Sequence, residues 1–343
     1  MINGPVQVFR FERFNDLVIK GMIRSAPLFF YILQTFCRNM NAALQFFDYA
    51  KWWIFSKIGR KDPLVNTMII HFACNLRCKH CSVMASGDPP ALKMSYDEIV
   101  SEMESKYKEG AKIMYFEGGE TTMWKDGDKN LGDLIKKSKE IGYFNTGYTT
   151  NGTNKIYTNS DVISVSIDGP REIHDEIRGE GVFDKLMNTL DELEFDGSIF
   201  ANMVIQKDNL AHIEETVKLI HENPKIKGGM FNFITPPPHE ISLTPEEKKE
   251  AVDLLLELKE RGYPILNSKK GLKLLAQEDW TEKCPYFMTS FTVAGGFHFN
   301  GCPMQGTDAC KKCGFAAPRE YYLVTKGDPL TIMELSALFA MSK

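Results

Sequence analysis

The stretch "HFACNLRCKHCS", residues 71–82, places Cys74, Cys78 and Cys81 within eight residues, directly after a β-rich run that starts at Val65. A closed tetrahedral metal site takes four ligands. Three thiols on one loop therefore need a borrowed ligand or leave a position open. With His71 or His80 they would make a zinc site. Wrapped around a cubane, the spacing Cys-x3-Cys-x2-Cys presents three thiolates to three irons and leaves the fourth iron to an outside ligand.

The segments around this loop point to a fold. After Asp62-Pro63, short β-rich runs at 65–72, 112–117, 146–150, 162–167, 199–205 and 230–234 alternate with amphipathic helical stretches. Helices are expected at 95–109, where Ser95 and Glu98 form a capping box; at 210–222, after Asn209; and at 245–261, opened by Thr244 and Glu247 and stopped by Gly262. Strand and helix in alternation imply a parallel sheet of βα units. Right-handed crossovers wind six such units into an incomplete barrel, a partial (βα)6 barrel of TIM type in the α/β class. Reactive groups in such a barrel gather at the C-terminal ends of its strands, where the cysteine loop lies.

Other strand ends carry motifs too. "FEGGET" (116–121) follows the second strand, "TTNG" (149–152) ends the third and "SIDGPREIHDEIRG" (166–179) ends the fourth. The four motifs in this order, within residues 65–234, resemble the radical S-adenosylmethionine (SAM) superfamily. The resemblance implies a [4Fe-4S] cluster on Cys74, Cys78 and Cys81, with SAM chelating the open iron through its amino and carboxylate groups. Reductive cleavage of SAM would then yield a 5'-deoxyadenosyl radical able to take hydrogen from unactivated carbon. It also implies a cofactor-binding set of His80, Gly118, Gly119, Glu120, Asn151, Ser166, Asp168 and Arg178. Within that set His80 would border the adenine, and Gly118 and Gly119 would allow close backbone approach. Glu120 would accept from the methionine ammonium, and Ser166 and Arg178 would hold the carboxylate. Thr121 stands where the family usually has proline. A one-electron donor such as ferredoxin or flavodoxin is implied as a partner.

A second group, Cys284, Cys302, Cys310 and Cys313, has enough thiols for a closed cubane or one zinc. Its segment "TVAGGFHFNGCP" (292–303) resembles the strand and turn of SPASM or twitch domains, and four cysteines suit a shortened, one-cluster version. An auxiliary [4Fe-4S] cluster is the expectation, with zinc or unligated thiols as alternatives. Tyr286, Met304 and Asp308 are catalytic candidates by location only, and no general acid or base is assigned.

Composition sets the remaining bounds. The chain has 343 residues, 43% of them hydrophobic and 25% charged, with a formal net charge of −4, which gives no sign of nucleic-acid binding. Eight cysteines in a chain of this size, with no cleavable signal segment, suit metal ligation in a reducing compartment better than disulfides. Cys37 stands apart and reads as a small buried apolar residue. Residues 17–61 hold seven basic side chains against one acid, Asp48, a net of +6 that leaves −10 for the rest. With Phe29, Phe36, Phe47, Trp52 and Trp53 at helical spacing, this leader reads as interfacial helices on an anionic membrane, or as helices packed on protein. The expected organisation is a leader (1–61), the barrel (62–243), a helical connection (244–283) and a cysteine module (284–343), at the inner face of the cell membrane. The function expected is radical chemistry on a hydrophobic, lipid substrate, carbon–carbon bond formation included. A peptide or protein maturase and a non-catalytic zinc or iron–sulfur scaffold are the alternatives.

Overall fold

Alternation within the strands decides what each face of the sheet meets. The computed structural model describes residues 40–81, 92–235 and 240–340. Its strands are β1 (Val65–Ile69), β2 (Ile113–Glu117), the small ribbon β3 (Lys125–Asp126) and β4 (Lys129–Asn130), β5 (Asn145–Thr150), β6 (Val162–Ser166), β7 (Ser198–Ile205), β8 (Ile226–Phe233), β9 (Thr289–Val293) and β10 (Phe297–Phe299). Its α-helices are α1 (Met40–Lys57), α2 (Tyr96–Glu109), α3 (Leu131–Ile141), α4 (Arg171–Arg178), α5 (Val182–Asp191), α6 (Ile213–Glu222), α7 (Pro245–Glu260), α8 (Lys269–Leu275), α9 (Ala317–Lys326) and α10 (Pro329–Ala340). The main sheet has the order β10-β9-β1-β2-β5-β6-β7-β8. All of its pairings are parallel except β9 with β10. Six parallel strands in sequence order, joined through helices except from β5 to β6, where residues 151–161 form a loop, are the partial barrel expected from the alternation of strand and helix.

On one face Met68, Met114, Phe116, Ile163, Val165 and Met203 are fully buried, in one cluster with Ile99 and Met103 of α2, Leu134 and Ile135 of α3 and Leu186 and Leu190 of α5. The alternate positions Tyr115, Glu117, Thr149, Ser164, Asn202 and Asn232 are half-buried and face away from that helical layer, into the barrel. Period-two alternation thus separates an apolar outer core from a mixed inner face, where Ile69, Ile113, Phe200, Val204 and Met230 stand among these polar residues.

Local chemistry explains the helix starts. Ser95 with Glu98, Asn130 with Asp133, and Thr244 with Glu247 all make reciprocal capping boxes. Asn209 does not cap the helix that follows it. Its amide instead donates to the carbonyls of Asp168 and Val204, at 2.9 Å each, so a short 3-10 turn precedes α6. Strand β8 begins at Ile226, four residues before the expected Met230. Glycine allows this: a Cβ on Gly228 would lie 2.5 Å from the Pro264 carbonyl oxygen, because residues 264–266 run along that strand edge.

Two expectations shift. The cysteine module expected to be separate from residue 284 contributes β9 to the main sheet, in register with β1 from Val65↔Thr289 to Ile69↔Val293. The unpaired edge of β1 recruits it, since buried backbone groups must be hydrogen-bonded. The chain also divides into two units, residues 1–55 and 56–343, and the sheet and both cysteine groups belong to the second. The expected leader up to residue 39, with Cys37, lies outside the described residues. Helix α1 exposes Trp53 and Ile54. Among the described residues no helix is long and apolar enough to cross a membrane.

Candidate active site

The cysteine loop leaves β1 and is held from three sides. The segment after β2 lies directly beneath it: Gly119 N–H donates to the His71 carbonyl and Glu120 N–H to the Ala73 carbonyl, both at 2.9 Å. A Cβ on Gly119 would sit 2.2 Å from the Ala73 carbonyl oxygen, and one on Gly118 2.7 Å from that of His71. Both glycines are therefore required for the loop to lie this close. From the end of β5, Asn151 donates to Asn75 at 3.0 Å, and Asn75 donates to Thr153 at 2.8 Å. From α4, the Ile177 carbonyl accepts from Lys79 N–H at 2.9 Å.

Glu120 is buried at the centre of this contact. Its Oε1 accepts from the Thr122 hydroxyl (2.7 Å), the Thr122 amide (3.2 Å) and the Thr150 hydroxyl (2.6 Å). Its Oε2 accepts from the Asn151 amide at 2.7 Å. The His71 ring, buried and held neutral by that burial, contacts the Glu120 carbonyl through Nε2 at 2.9 Å. His71 thus faces away from the role of a fourth ligand through that nitrogen.

The three thiols are half-buried and lie within electrostatic range of one another. Burial pushes the Cys78 thiol up to about 11, the neighbouring Cys74, Asp168 and Cys81 add to the rise, and Arg178 opposes it. Cys74 is likewise raised by burial, against a contact from the Leu76 amide at 3.4 Å. Thiols in this state lose their protons to a cationic centre and not to water. Among the described residues no three Cys, His, Asp or Glu side chains converge in the way a single metal ion needs. Three thiols on one short loop, each in reach of the others' charge, are a donor set that suits a cluster with one open iron.

Arg178 connects this loop to the fourth strand. Its Nε donates to Asp168 Oδ2 at 2.6 Å, and its Nη1 lies 3.9 Å from Cys78 Sγ. Asp168 is fully buried; its Oδ1 accepts from Val204 N–H at 3.0 Å. Despite that burial, Arg178 and the Val204 amide hold its carboxyl below the usual range. Both oxygens are engaged within the protein, so Asp168 aims Arg178. His80 is kept neutral by burial, 3.8 Å from Asp168 through Nε2, and its Nδ1 is buried without a partner. His174, pushed down to about 4 by burial, accepts from Asp168 N–H at 3.3 Å. Ser166 ends β6 on the inner face, opposite Asn202.

The inner face holds residues that motif reading passes over. Glu117, two residues beyond Tyr115 on the same face, has its carboxyl pushed up to about 7 by burial alone. Among the described residues this carboxyl has no hydrogen-bond or salt-bridge partner. The Tyr115 hydroxyl contacts that of Thr149 at 3.1 Å, and Tyr321 of α9 reaches Thr289 and feels the charge of Glu117. The signal for this face was the alternation in "IMYFE": a strand covered by helices on one side carries Tyr and Glu on the other.

The second cysteine group also assembles. The expected strand and turn form as β9 and a turn through Gly295 and Gly296, at positive φ of 102° and 80°, and the chain returns antiparallel as β10. Burial pushes Cys284 up to about 12, with Cys313, Cys302 and Cys310 adding to the rise, so one thiol senses the other three. Met304 serves through its backbone, its N–H 3.4 Å from Cys302 Sγ and its carbonyl accepting from Cys310 Sγ at 3.3 Å. Asp308 is a surface residue paired with Lys311 at 2.8 Å. Arg319, which no motif marked, is fully buried with Nη1 donating to Cys313 Sγ at 3.2 Å.

Residues 68–220 match the sequence profile of the Radical SAM superfamily. The Fe-coproporphyrin III synthase of Methanosarcina barkeri is 30% identical over 214 residues, covering 56% of this chain and 51% of that protein. The sporulation killing factor maturation protein SkfB of Bacillus subtilis is 26% identical over 166 residues, 46% of this chain and 39% of that one. The chain thus spans about half the length of the first relative and less of the second. Crystal structures of Streptococcus suis SuiB, bound to S-adenosylmethionine or to the precursor peptide SuiA, share the fold. Each superposes on 80% of this chain with a TM-score of 0.55, covering 66% and 67% of the SuiB chains at 16% and 14% identity.

Proposed function

We propose, for a chain that carries a radical SAM domain over residues 68–220, that it is a radical SAM enzyme whose substrate is a peptide. When bound, the [4Fe-4S] cluster and SAM supply the one-electron chemistry that removes hydrogen from unactivated carbon. The chain's own residues do the rest. Cys74, Cys78 and Cys81 would bind three irons, and the Gly118-Gly119-Glu120 segment, seated under their loop, would line the SAM site with Asn151 and Ser166. Asp168 would hold Arg178 beside the cluster and the SAM carboxylate, and His80 would border the adenine. Cys284, Cys302, Cys310 and Cys313 would hold an auxiliary cluster. A reduced ferredoxin or flavodoxin would supply the electron.

The unpartnered Glu117 carboxyl on the inner face carries the substrate reading. The Glu117 carboxyl, half-buried and without a hydrogen-bond partner among the described residues, would lose its water to an aliphatic chain and gain no hydrogen bond in return. The lipid expected from the basic leader finds no support there. A tetrapyrrole, as the name of the M. barkeri relative suggests for that protein, brings carboxylates. The inner-face strand positions carry the lone Glu117 and no lysine or arginine. A peptide brings amide N–H donors to Glu117, in line with the peptide bound by SuiB and the maturation role named for SkfB; Asn202 and Asn232 are already paired with each other at 2.8 Å.

The test is anaerobic reconstitution and measurement of 5'-deoxyadenosine under reduction. A pool of unstructured peptides should raise the rate, whereas phospholipid vesicles and coproporphyrin should not. Cys78→Ala should abolish the product entirely, while Cys310→Ala keeps uncoupled SAM cleavage. Stimulation by vesicles or porphyrin with none by peptides would reverse the substrate reading, and a colourless, zinc-bearing chain would remove the enzyme reading.

A further inference from the structure

Arg319, in the first turn of α9, exposes none of its surface. Its guanidinium lies over the indole of Trp280, 4.3 Å from the ring centroid, and Trp280 meets Tyr322 edge-on at 5.5 Å. Beyond the contact to Cys313 Sγ at 3.2 Å, Nη1 donates to the Phe315 carbonyl at 3.1 Å, and Nη2 donates to the carbonyls of Cys313 (2.6 Å) and Gln277 (3.3 Å). Nε is buried without a partner. Among the described residues no aspartate or glutamate pairs with this charge. A buried guanidinium normally requires an anion beside it. The groups in reach that can become anionic are cysteine sulfurs: Arg319 touches Cys313 and also senses Cys284.

We propose that Arg319 is the counter-charge of the second cysteine group, a positioning residue that offsets its thiolates and raises the reduction potential of the cluster they hold. The inference rests on the auxiliary-cluster reading above. Its physical basis is general: the net charge around an iron–sulfur cluster and the hydrogen bonds to its sulfurs set its potential, and outer groups orient the ligands. The planar fork donates to the Cys313 sulfur and carbonyl together while its face stacks on Trp280. A lysine keeps the charge but loses the fork and the stacking.

The test uses the full chain with Cys74, Cys78 and Cys81 replaced by alanine, so that iron and paramagnetic signals report only the second group. Parent, Arg319→Lys and Arg319→Met are reconstituted with iron and sulfide, assayed for both, and titrated redox-potentiometrically with EPR detection. The midpoint should fall in the order Arg, Lys, Met. A Met variant that takes up no cluster, beside a Lys variant that loads and titrates below the parent, also supports the proposal, because the site then needs the charge to assemble. A loaded Met variant with the parent's midpoint overturns it. So does a Lys variant that stays unloaded, or one that titrates with the parent when Met does not load. A parent that takes up zinc and no iron removes the cluster reading itself, an outcome distinct from any result on a loaded parent.

Discussion

Replacing Glu120 with glutamine should unfold the chain more easily even with no SAM present. The side chain is 1% exposed, and its two oxygens accept four hydrogen bonds, three at Oε1 and one at Oε2. An amide must turn its NH2 toward one of those two positions. Facing Asn151 N–H, it sets donor against donor and leaves a buried backbone amide unsatisfied, a cost of about 1–3 kcal/mol. Facing the Oε1 side, it does the same to the Thr122 amide. There the Thr150 hydroxyl oxygen already accepts from Gly152 N–H at 3.0 Å, which limits how far it can adapt. Losing the charge also weakens the remaining bonds, since those to a charged acceptor are worth about 1.5–3 kcal/mol and neutral ones about 1 kcal/mol. The sum is roughly 3–5 kcal/mol. At about 2 °C per kcal/mol for a chain of this size, the thermal midpoint should fall by roughly 6–10 °C by circular dichroism, with and without SAM. Thr150→Val, which deletes one of the four donors and also the acceptor of Gly152 N–H, should cost about 2–3 kcal/mol. A Glu120→Gln chain that melts within a degree of the parent, yet no longer binds SAM, would show that the residue is a ligand only and that this network does not hold the loop.

Two further substitutions probe the same region from different sides. Gly119→Ala puts a Cβ 2.2 Å and 2.4 Å from the Ala73 and Phe72 carbonyl oxygens, so the cysteine loop must shift at a cost of roughly 1–3 kcal/mol or more. Iron bound at the first site should drop while the second group still loads, and a full iron complement at both would refute the packing argument. Glu117→Gln bears on stability against pH. The folded carboxyl titrates near 7, above its ordinary value of 4.5, so between those values the folded state holds a proton that the unfolded chain has lost. Wild-type stability therefore falls across that window, by at most about 3 kcal/mol at 1.36 kcal/mol per pKa unit. The variant should gain on wild type as pH rises from 4.5 to 7 and keep a constant lead above it. A pH-independent difference in urea unfolding would contradict the raised carboxyl.

The strand runs, the capping boxes at Ser95 and Thr244 and the motifs at strand ends were readable because they depend on neighbours a few residues apart. Asn209 misled for the same local reason. As a lone residue before a helix it reads as a cap, but 41 residues earlier the Asp168 carbonyl claims its amide. The edge of β1 decided the place of residues 289–293, and no property of that segment alone foretold a parallel partner 224 residues away. The roles within the site divide in the same way. The spacing of Cys74, Cys78 and Cys81 marks them as candidate ligands, whereas Arg319 beside Cys313 and Glu117 within charge range of Tyr321 are products of packing.

By itself, then, the sequence determined the repeating βα units, the two sets of thiols and the chemistry they favour, because periodicity and ligand spacing are written in consecutive residues. Only the tertiary structure decided which charges are buried and what they face. Solvation and Coulomb energy depend on neighbours in space, and those neighbours come from distant parts of the chain.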